Sequence, residues 1–229
     1  MRVPMFVEFE GKDVLVIGGG GVGTSRAKKF LKAKAKVKVF SLDFSDELKE
    51  ISGRVELIRG DVKDTRKLED FIKNSYLVVV ALPFTDFNDK IVEIAKRYKT
   101  LVNLANDAKR TEVVIPFEGE FEGIRFAVTT EGKSGIVARR VKDTFLRALE
   151  EDEEIVSFLK AMDHLKRYMK GRNIPVQLRM KLYFAVSEDE KFRRLVRSGE
   201  VELAKEWAEK LVEDYVSGRR KIEIEGFEF

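Results

Sequence analysis

At 229 residues and 44% hydrophobic content, the chain carries enough apolar material for one large domain or two modest ones. The lack of cysteine and the single His164 exclude disulfides, a thiolate nucleophile and any cysteine or multi-histidine metal site. With 44 Lys+Arg against 40 Asp+Glu, the formal charge is +4, too small by itself to indicate nucleic acid but compatible with an anionic small molecule. Mixed charge on 37% of residues suits a heat-adapted surface with ion-pair networks. No run approaches the ~20 apolar residues of a membrane span. The N-terminus lacks a signal-peptide pattern, so the cytoplasm is the expected compartment.

Pro4-Met5-Phe6-Val7-Glu8-Phe9 forms a short extended lead that turns at Gly11-Lys12 into the first core strand, Val14-Leu15-Val16-Ile17. Gly18, Gly20 and Gly23 then fall on the G-x-G-x-x-G spacing ahead of a helix predicted over 24–33. Each glycine has a task in dinucleotide binding. Gly18 allows the tight turn, Gly20 lets the backbone approach the pyrophosphate, and Gly23 lets the helix pack close to the strand. The free amides at the helix start, where Gly21 and Val22 stand, receive the phosphate charge. Residues 36–40 alternate lysine and valine as a second strand. Ser41 and Asp43 follow where a ribose-binding residue sits, although Asp43 is equally readable as loop or cap before Ser45-Asp46-Glu47.

A third strand is predicted over 55–58 and a helix over 65–74. The apolar run 76–82 reads as a central parallel strand covered on both faces. Pro83 stops it, Asp86-Phe87-Asn88 leads into a helix over 89–98, and a fifth strand over 101–105 ends in Asn106-Asp107. Strands alternating with helices imply right-handed βαβ units. The fold class is α/β, a Rossmann-like doubly wound parallel sheet whose ligands bind beyond the strand C-termini. The glycine loop, Ser41, Asp43, the 82–84 loop with Ala81 and Leu82 at its start, and Asn106-Asp107 all belong to that edge. The rhythm then changes. Strands predicted over 113–117 and 124–129, separated by Gly119 and Gly123, have no helix between them, and such an exposed pair invites pairing with a second copy. A Thr130-Glu131-Gly132-Lys133-Ser134-Gly135 loop and a helix over 136–150 follow. Helices are then expected over 153–169, 176–184, 189–198 and 201–215, and His164 reads as structural or exposed rather than as a metal ligand. The expected parts are a nucleotide-binding domain over 1–112, a strand-rich dimerisation segment with the Gly-Lys-Ser loop and its helix over 113–150, and a helical domain over 151–229.

Several of these segments together resemble the dehydrogenase part of siroheme synthases, the precorrin-2 dehydrogenase family, over the chain from Pro4 to about Tyr215. The carriers are the Val14-to-Gly23 motif, Asn88, Val102-Asn103-Leu104-Ala105-Asn106-Asp107, the 129–135 loop with Ala138-Arg139-Arg140 behind it, and the 196–208 segment. The resemblance implies NAD-dependent oxidation of precorrin-2 to sirohydrochlorin, with iron insertion in some members, by a homodimer built through its middle strands, without nucleic acid or membrane. The substrate has eight carboxylates. Lys133 and Ser134 in the loop, and Arg139 and Arg140 on the helix, are the expected substrate contacts, because arginine offers a planar fork to a carboxylate.

Three departures stand out. Asn106 occupies the place of the family's aspartate, with Asp107 one residue later. Ala81-Leu82-Pro83 replaces Ala-Thr-Asp, and Glu131 and Gly135 replace a glycine and a proline. Asp107 is favoured as the working carboxylate, with Asn106 able only to hydrogen-bond and position. The alternative is that Asp107 caps the turn before Ala108-Lys109. No arginine lies just after the second strand, which favours NAD over NADP. An NAD-binding regulatory module without catalysis is the competing function, and the Gly132-Lys133-Ser134 loop speaks against it.

Overall fold

The computed structural model describes residues 2–83 and 87–221; Phe84, Asp86 and the alternating tail beyond Lys221 lie outside the described residues. The chain divides into two compact units. One comprises the residues up to Phe117 together with Thr129–Ala138, the other Glu118–Val128 and the residues from Arg139 onward.

The first unit alternates β1 (Asp13–Ile17), α1 (Gly21–Lys32), β2 (Lys36–Ser41), α2 (Asp46–Glu50), β3 (Glu56–Arg59), α3 (Thr65–Lys73), β4 (Leu77–Val80), α4 (Phe87–Tyr98) and β5 (Leu101–Leu104). The five strands are parallel and ordered β3-β2-β1-β4-β5. The chain therefore winds outward from β1 to β3 and then returns to the other side of β1. That reversal puts the switch point between β1 and β4, where an open α/β sheet leaves its ligand crevice. The β-branched run of β1 feeds two cores through the period-2 alternation of a strand. Val14 and Val16 pack with Val37, Val39 and Val79 beneath Ala27 and Phe30 of α1. Leu15 and Ile17 pack with Phe40, Val78 and Val80 against Leu68, Ile72 and Ile91 of α3 and α4. Covering both faces is what makes the central strands continuously apolar.

The strand expected over 113–117 does not form there. The amides of Glu112 and Val113 both donate to the Val102 carbonyl, at 3.2 and 2.9 Å, and Asn103 Nδ2 donates to the Val113 carbonyl at 2.7 Å. The segment is thus tied to β5, and Val113 and Ile115 cover the α1-side core. The strand starts later, as β6 (Phe117–Phe121), and pairs with β7 (Ile124–Val128). The hairpin turns at Glu122 and Gly123, both at positive φ (48° and 85°), as a two-residue loop of the right twist requires.

Helix α5 (Gly135–Glu150) begins in the first unit and continues from Arg139 in the second, where it leads to α6 (Glu153–Gly171), α7 (Val176–Ser187), α8 (Glu190–Arg197) and α9 (Val201–Val216). Ala161, Leu165 and Met169 recur at four-residue spacing along α6 and meet Ala204, Ala208, Leu211 and Val212 of α9, with Phe192 and Leu182 closing the core. His164 Nε2 lies 2.6 Å from Glu209 Oε1, so its partner is a carboxylate across the α6–α9 seam. Among the described residues no helix is long and apolar enough to cross a membrane.

Thr111 is the pin of the β5 end. It is 5% exposed, its Oγ1 accepts from the Leu104 amide at 2.8 Å and donates to the Val113 carbonyl at 2.9 Å. Thr111→Val keeps the shape but leaves a buried amide unpaired, which costs about 1–3 kcal/mol. A fall of several degrees in melting temperature is expected; an unchanged melt contradicts this role.

Candidate functional site

The connection from β1 to α1 is built by exclusion of side chains. Gly18 has φ +115°, and a Cβ there would lie 2.6 Å from the Ala81 carbonyl oxygen. A Cβ on Gly23 would lie 1.9 Å from the Gly18 carbonyl oxygen, so α1 enters directly against the loop it leaves. A Cβ on Gly19 would meet the Asp43 carbonyl oxygen at 2.2 Å. Gly20 and Gly21 are different: nothing lies within 4 Å of a Cβ built on either. The backbone at Gly20 and Gly21 therefore faces open space at the start of α1, whose first turn holds no acidic residue. This is the bare helix N-terminus that an anionic group such as a pyrophosphate fits.

The loop after β2 braces this cradle. Ser41 Oγ accepts from the Gly19 amide at 3.0 Å, and the Ser45 amide donates to the Gly19 carbonyl at 2.9 Å. Thr24 Oγ1 donates to the Gly20 carbonyl at 2.9 Å and lies 2.7 Å from Ser45 Oγ. Ser41 thus positions the glycine loop with its hydroxyl. Asp43 reaches outward, its side chain 95% exposed. The β2–β3 register pairs Ser41 with Arg59, which brings the Arg59 guanidinium to 3.9 Å from Asp43 and lets Arg59 Nε donate to the Leu42 carbonyl at 3.1 Å. An arginine therefore does stand beside the loop after the second strand, supplied by β3.

Contacts run from the glycine loop across the strand ends. The Ala81 amide donates to the Ile17 carbonyl at 2.8 Å, and Asn106 Nδ2 donates to the Leu82 carbonyl at 2.6 Å. Asn106 is exposed at the edge. Asp107 turns back instead: its carboxylate accepts from Arg110 Nε at 2.5 Å and from the amides of Arg110 and Lys109 at 3.1 and 3.2 Å. The Arg110 hydrogen bond, reinforced by these amides, holds the Asp107 carboxyl below its ordinary value. Of the two sequence readings of Asp107, these contacts match the turn cap.

The 129–135 loop lies against the same turn. A Cβ on Gly132, at φ +84°, would be 2.3 Å from Ala108 Cβ. Arg2 clamps both pieces, pairing with Glu131 while its Nη2 donates to the Ala108 and Thr111 carbonyls at 2.6 and 2.7 Å. Ser134 starts α5: its amide donates to Thr130 Oγ1 at 2.9 Å and its Oγ accepts from the Val137 amide at 3.3 Å. Lys133, Arg139 and Arg140 are exposed, and among the described residues none of the three side chains makes an ion pair. Nothing in the sequence sets Arg2 or Arg59 apart, since each acts through a tertiary neighbour.

A glycine-braced, open helix N-terminus at the switch point of a parallel sheet defines a dinucleotide-binding protein of Rossmann type. The family model described as "Putative NAD(P)-binding" matches residues 5–117. A "Putative precorrin-2 dehydrogenase" of Methanocaldococcus jannaschii is 30% identical over 200 residues, 83% of this chain and 92% of that protein. The precorrin-2 dehydrogenase of Methanosarcina barkeri is 27% identical over 192 residues, with 82% and 84% covered. The siroheme synthase of Actinobacillus succinogenes is 24% identical over 94% of this chain, which spans only 44% of that longer protein. The solved structure of SirC, a precorrin-2 dehydrogenase, shares the fold with a TM-score of 0.66 at 22% identity, over 91% of this chain and all of SirC. The chain belongs to the precorrin-2 dehydrogenase family.

The glycines separate into two groups, and substitution tests the division. Gly23→Ala forces backbone apart and is expected to destabilise by about 1–3 kcal/mol or to prevent folding. Gly20→Ala is expected to melt within a degree or so of the parent while weakening dinucleotide binding at least tenfold. Unchanged dinucleotide affinity in a folded Gly20→Ala protein removes the loop from the site.

Proposed function

We propose that the protein oxidises precorrin-2 to sirohydrochlorin with NAD as acceptor. One observation supports this most: an unbroken run of contacts in a single unit from Gly18 through Ala81, Leu82 and Asn106 to the turn that carries the 129–135 loop, in a chain of this family. The amides at Gly20, Gly21 and Val22 hold the pyrophosphate, Gly23 sets the helix against the loop, and Ser41 keeps Gly19 in place. Asp43 takes the ribose end, with Ala81 and Leu82 forming the floor beneath the cofactor. When bound, NAD supplies the acceptor for a hydride, becoming NADH, and the remaining proton leaves to solvent. Asn106 positions the reacting partners at the strand edge. Asp107 keeps the turn in shape through Arg110. Lys133, Ser134, Arg139 and Arg140 offer hydrogen bonds and charge to the carboxylates of the substrate.

We further propose that the working form is a homodimer. The β6–β7 hairpin is a two-stranded sheet with open edges, and Ile136 at the start of α5 is 84% exposed. Light scattering at micromolar concentration is expected to give twice the chain mass; a monomer contradicts this.

Asp107 and Asn106 are separated by their variants, measured as NAD reduction with precorrin-2. Asp107→Asn retains an acceptor for the turn amides and is expected to keep activity within a few fold. A working base would lose about 10²–10⁴-fold, and such a loss in a folded Asp107→Asn protein restores the carboxylate to the chemistry. Asn106→Ala is expected to lower kcat/KM about tenfold. The lowered Asp107 pKa fixes the sign of the pH response. Its ionised form persists below the ordinary value of about 3.9, so its support of the turn is lost only as pH falls through the lowered value. Activity is expected to show no limb from this group between pH 5 and 8.

A further inference from the structure

Beside the glycine cradle, α1 carries a half-buried cation that no side chain among the described residues pairs with. Gly23, Thr24, Ala27 and Phe30 face the sheet and are buried. Val22, Arg26 and Lys29 follow one another along the neighbouring flank at helical spacing. Lys29 Nζ donates to the Pro116 carbonyl at 3.0 Å, which holds the 115–117 segment alongside the helix. Between them lies a groove of about 320 Å³ lined by Gly21, Val22, Ser25, Arg26, Ile115, Pro116 and Phe117. Arg26 is half-buried, and among the described residues it has no ion pair and no side-chain hydrogen bond. Burial lowers its pKa from the ordinary arginine value, yet a guanidinium stays charged at neutral pH with five donors to satisfy.

A partly desolvated, unpaired cation is less favourable than a solvated or paired one, and the partner that relieves it is an anion. The groove walls give the rest of the specification. Val22, Ile115, Pro116 and Phe117 are apolar, so the ligand presents an apolar body and an acid. The pyrophosphate is a poorer match, because its place is over the end of α1, and Arg26 lies five residues, about 7 Å of helix rise, beyond Gly21 on the flank. We propose that Arg26 is the carboxylate anchor of a substrate groove along α1, gripping one acid arm of a polycarboxylate macrocycle through its planar fork. This assignment rests on the reading of the substrate as precorrin-2. The groove is too small for the whole macrocycle and admits an edge and one arm. Gly21 and Val22 belong to its lining, so the arm lies beside the dinucleotide cradle.

The test uses Arg26→Gln and Arg26→Lys in the full chain. The probe is a porphyrin octacarboxylate, which has the same acid groups but is no dehydrogenase substrate, titrated into cofactor-free protein and followed by its visible band. The KM for precorrin-2, the affinity for NAD and the melting temperature are measured alongside. Arg26→Gln is expected to weaken porphyrin binding and raise the KM for precorrin-2 about tenfold, with NAD affinity within twofold and a melting temperature equal to or above the parent. Arg26→Lys, which keeps the charge and loses the fork, falls between. Unchanged porphyrin binding and KM in Arg26→Gln overturn the proposal, as does a loss confined to NAD affinity. Parent protein that binds the porphyrin through Arg26 but reduces no NAD with precorrin-2 upholds the anchor and overturns the dehydrogenase reading. Parent protein that oxidises precorrin-2 with no dependence on Arg26 does the reverse. Parent protein that neither binds nor oxidises a tetrapyrrole overturns both.

Discussion

The structure depends on one close approach: the carbonyl of Gly18 occupies the place where a side chain on residue 23 would be. Only two glycines allow the chain to leave β1, reverse and enter α1 at that separation. Once α1 is seated there, Ala27 and Phe30 reach the β1, β2 and β4 valines, and the first turn of the helix points its amides at the switch point. The same packing bares the backbone at Gly20 and Gly21. Core and cradle are thus one construction, so the loop cannot loosen without disturbing the sheet's α1-side core.

The remainder of the site is positioned by polar ties rather than by packing. Ser41, Ser45 and Thr24 fasten the loop after β2 to the glycine loop. Asn106 fastens the end of β5 to the end of β4, Thr111 and Asn103 fasten the outgoing chain to β5, and Arg2 fastens the turn after β5 to a loop some 129 residues from itself. Many of the surface ion pairs, such as Lys49 with Asp46, are exposed and contribute little individually, about 0–1 kcal/mol. The buried and half-buried ties carry the geometry, because an amide left unpaired there has no water to turn to.

Much of the fold is legible in the residues. The β-branched run before Gly18 and the helical periodicity after it place β1, α1 and the switch point. The alternation of strand and helix predicts the parallel sheet that is observed. What the sequence hides is tertiary. Residues 113–116 look like a strand because they are apolar, but the amides of Glu112 and Val113 turn to the Val102 carbonyl while Thr111 and Asn103 hold the Val113 carbonyl, and this ties the start of the segment to β5 rather than to a hairpin partner. Asp107 stands at a strand end where a catalytic acid and a turn cap are both readable. Its contacts with Arg110 three residues on follow the spacing at which a short side chain meets the turn's own donors. Arg59 reaches Asp43 only through the β2–β3 register. Arg26 is one of 44 basic residues, and what sets it apart, partial burial with no ion pair or side-chain hydrogen bond among the described residues, is a property of the folded chain alone.

The central claim is that a hydride leaves the macrocycle for the dinucleotide held at the Gly18-to-Gly23 cradle. Precorrin-2 carrying deuterium at the carbon that is oxidised, incubated with the purified protein and NAD, reports this transfer directly by mass spectrometry. The account predicts one deuterium in each NADH formed and one sirohydrochlorin for each NADH. Unlabelled NADH, or sirohydrochlorin formed without NADH, contradicts it.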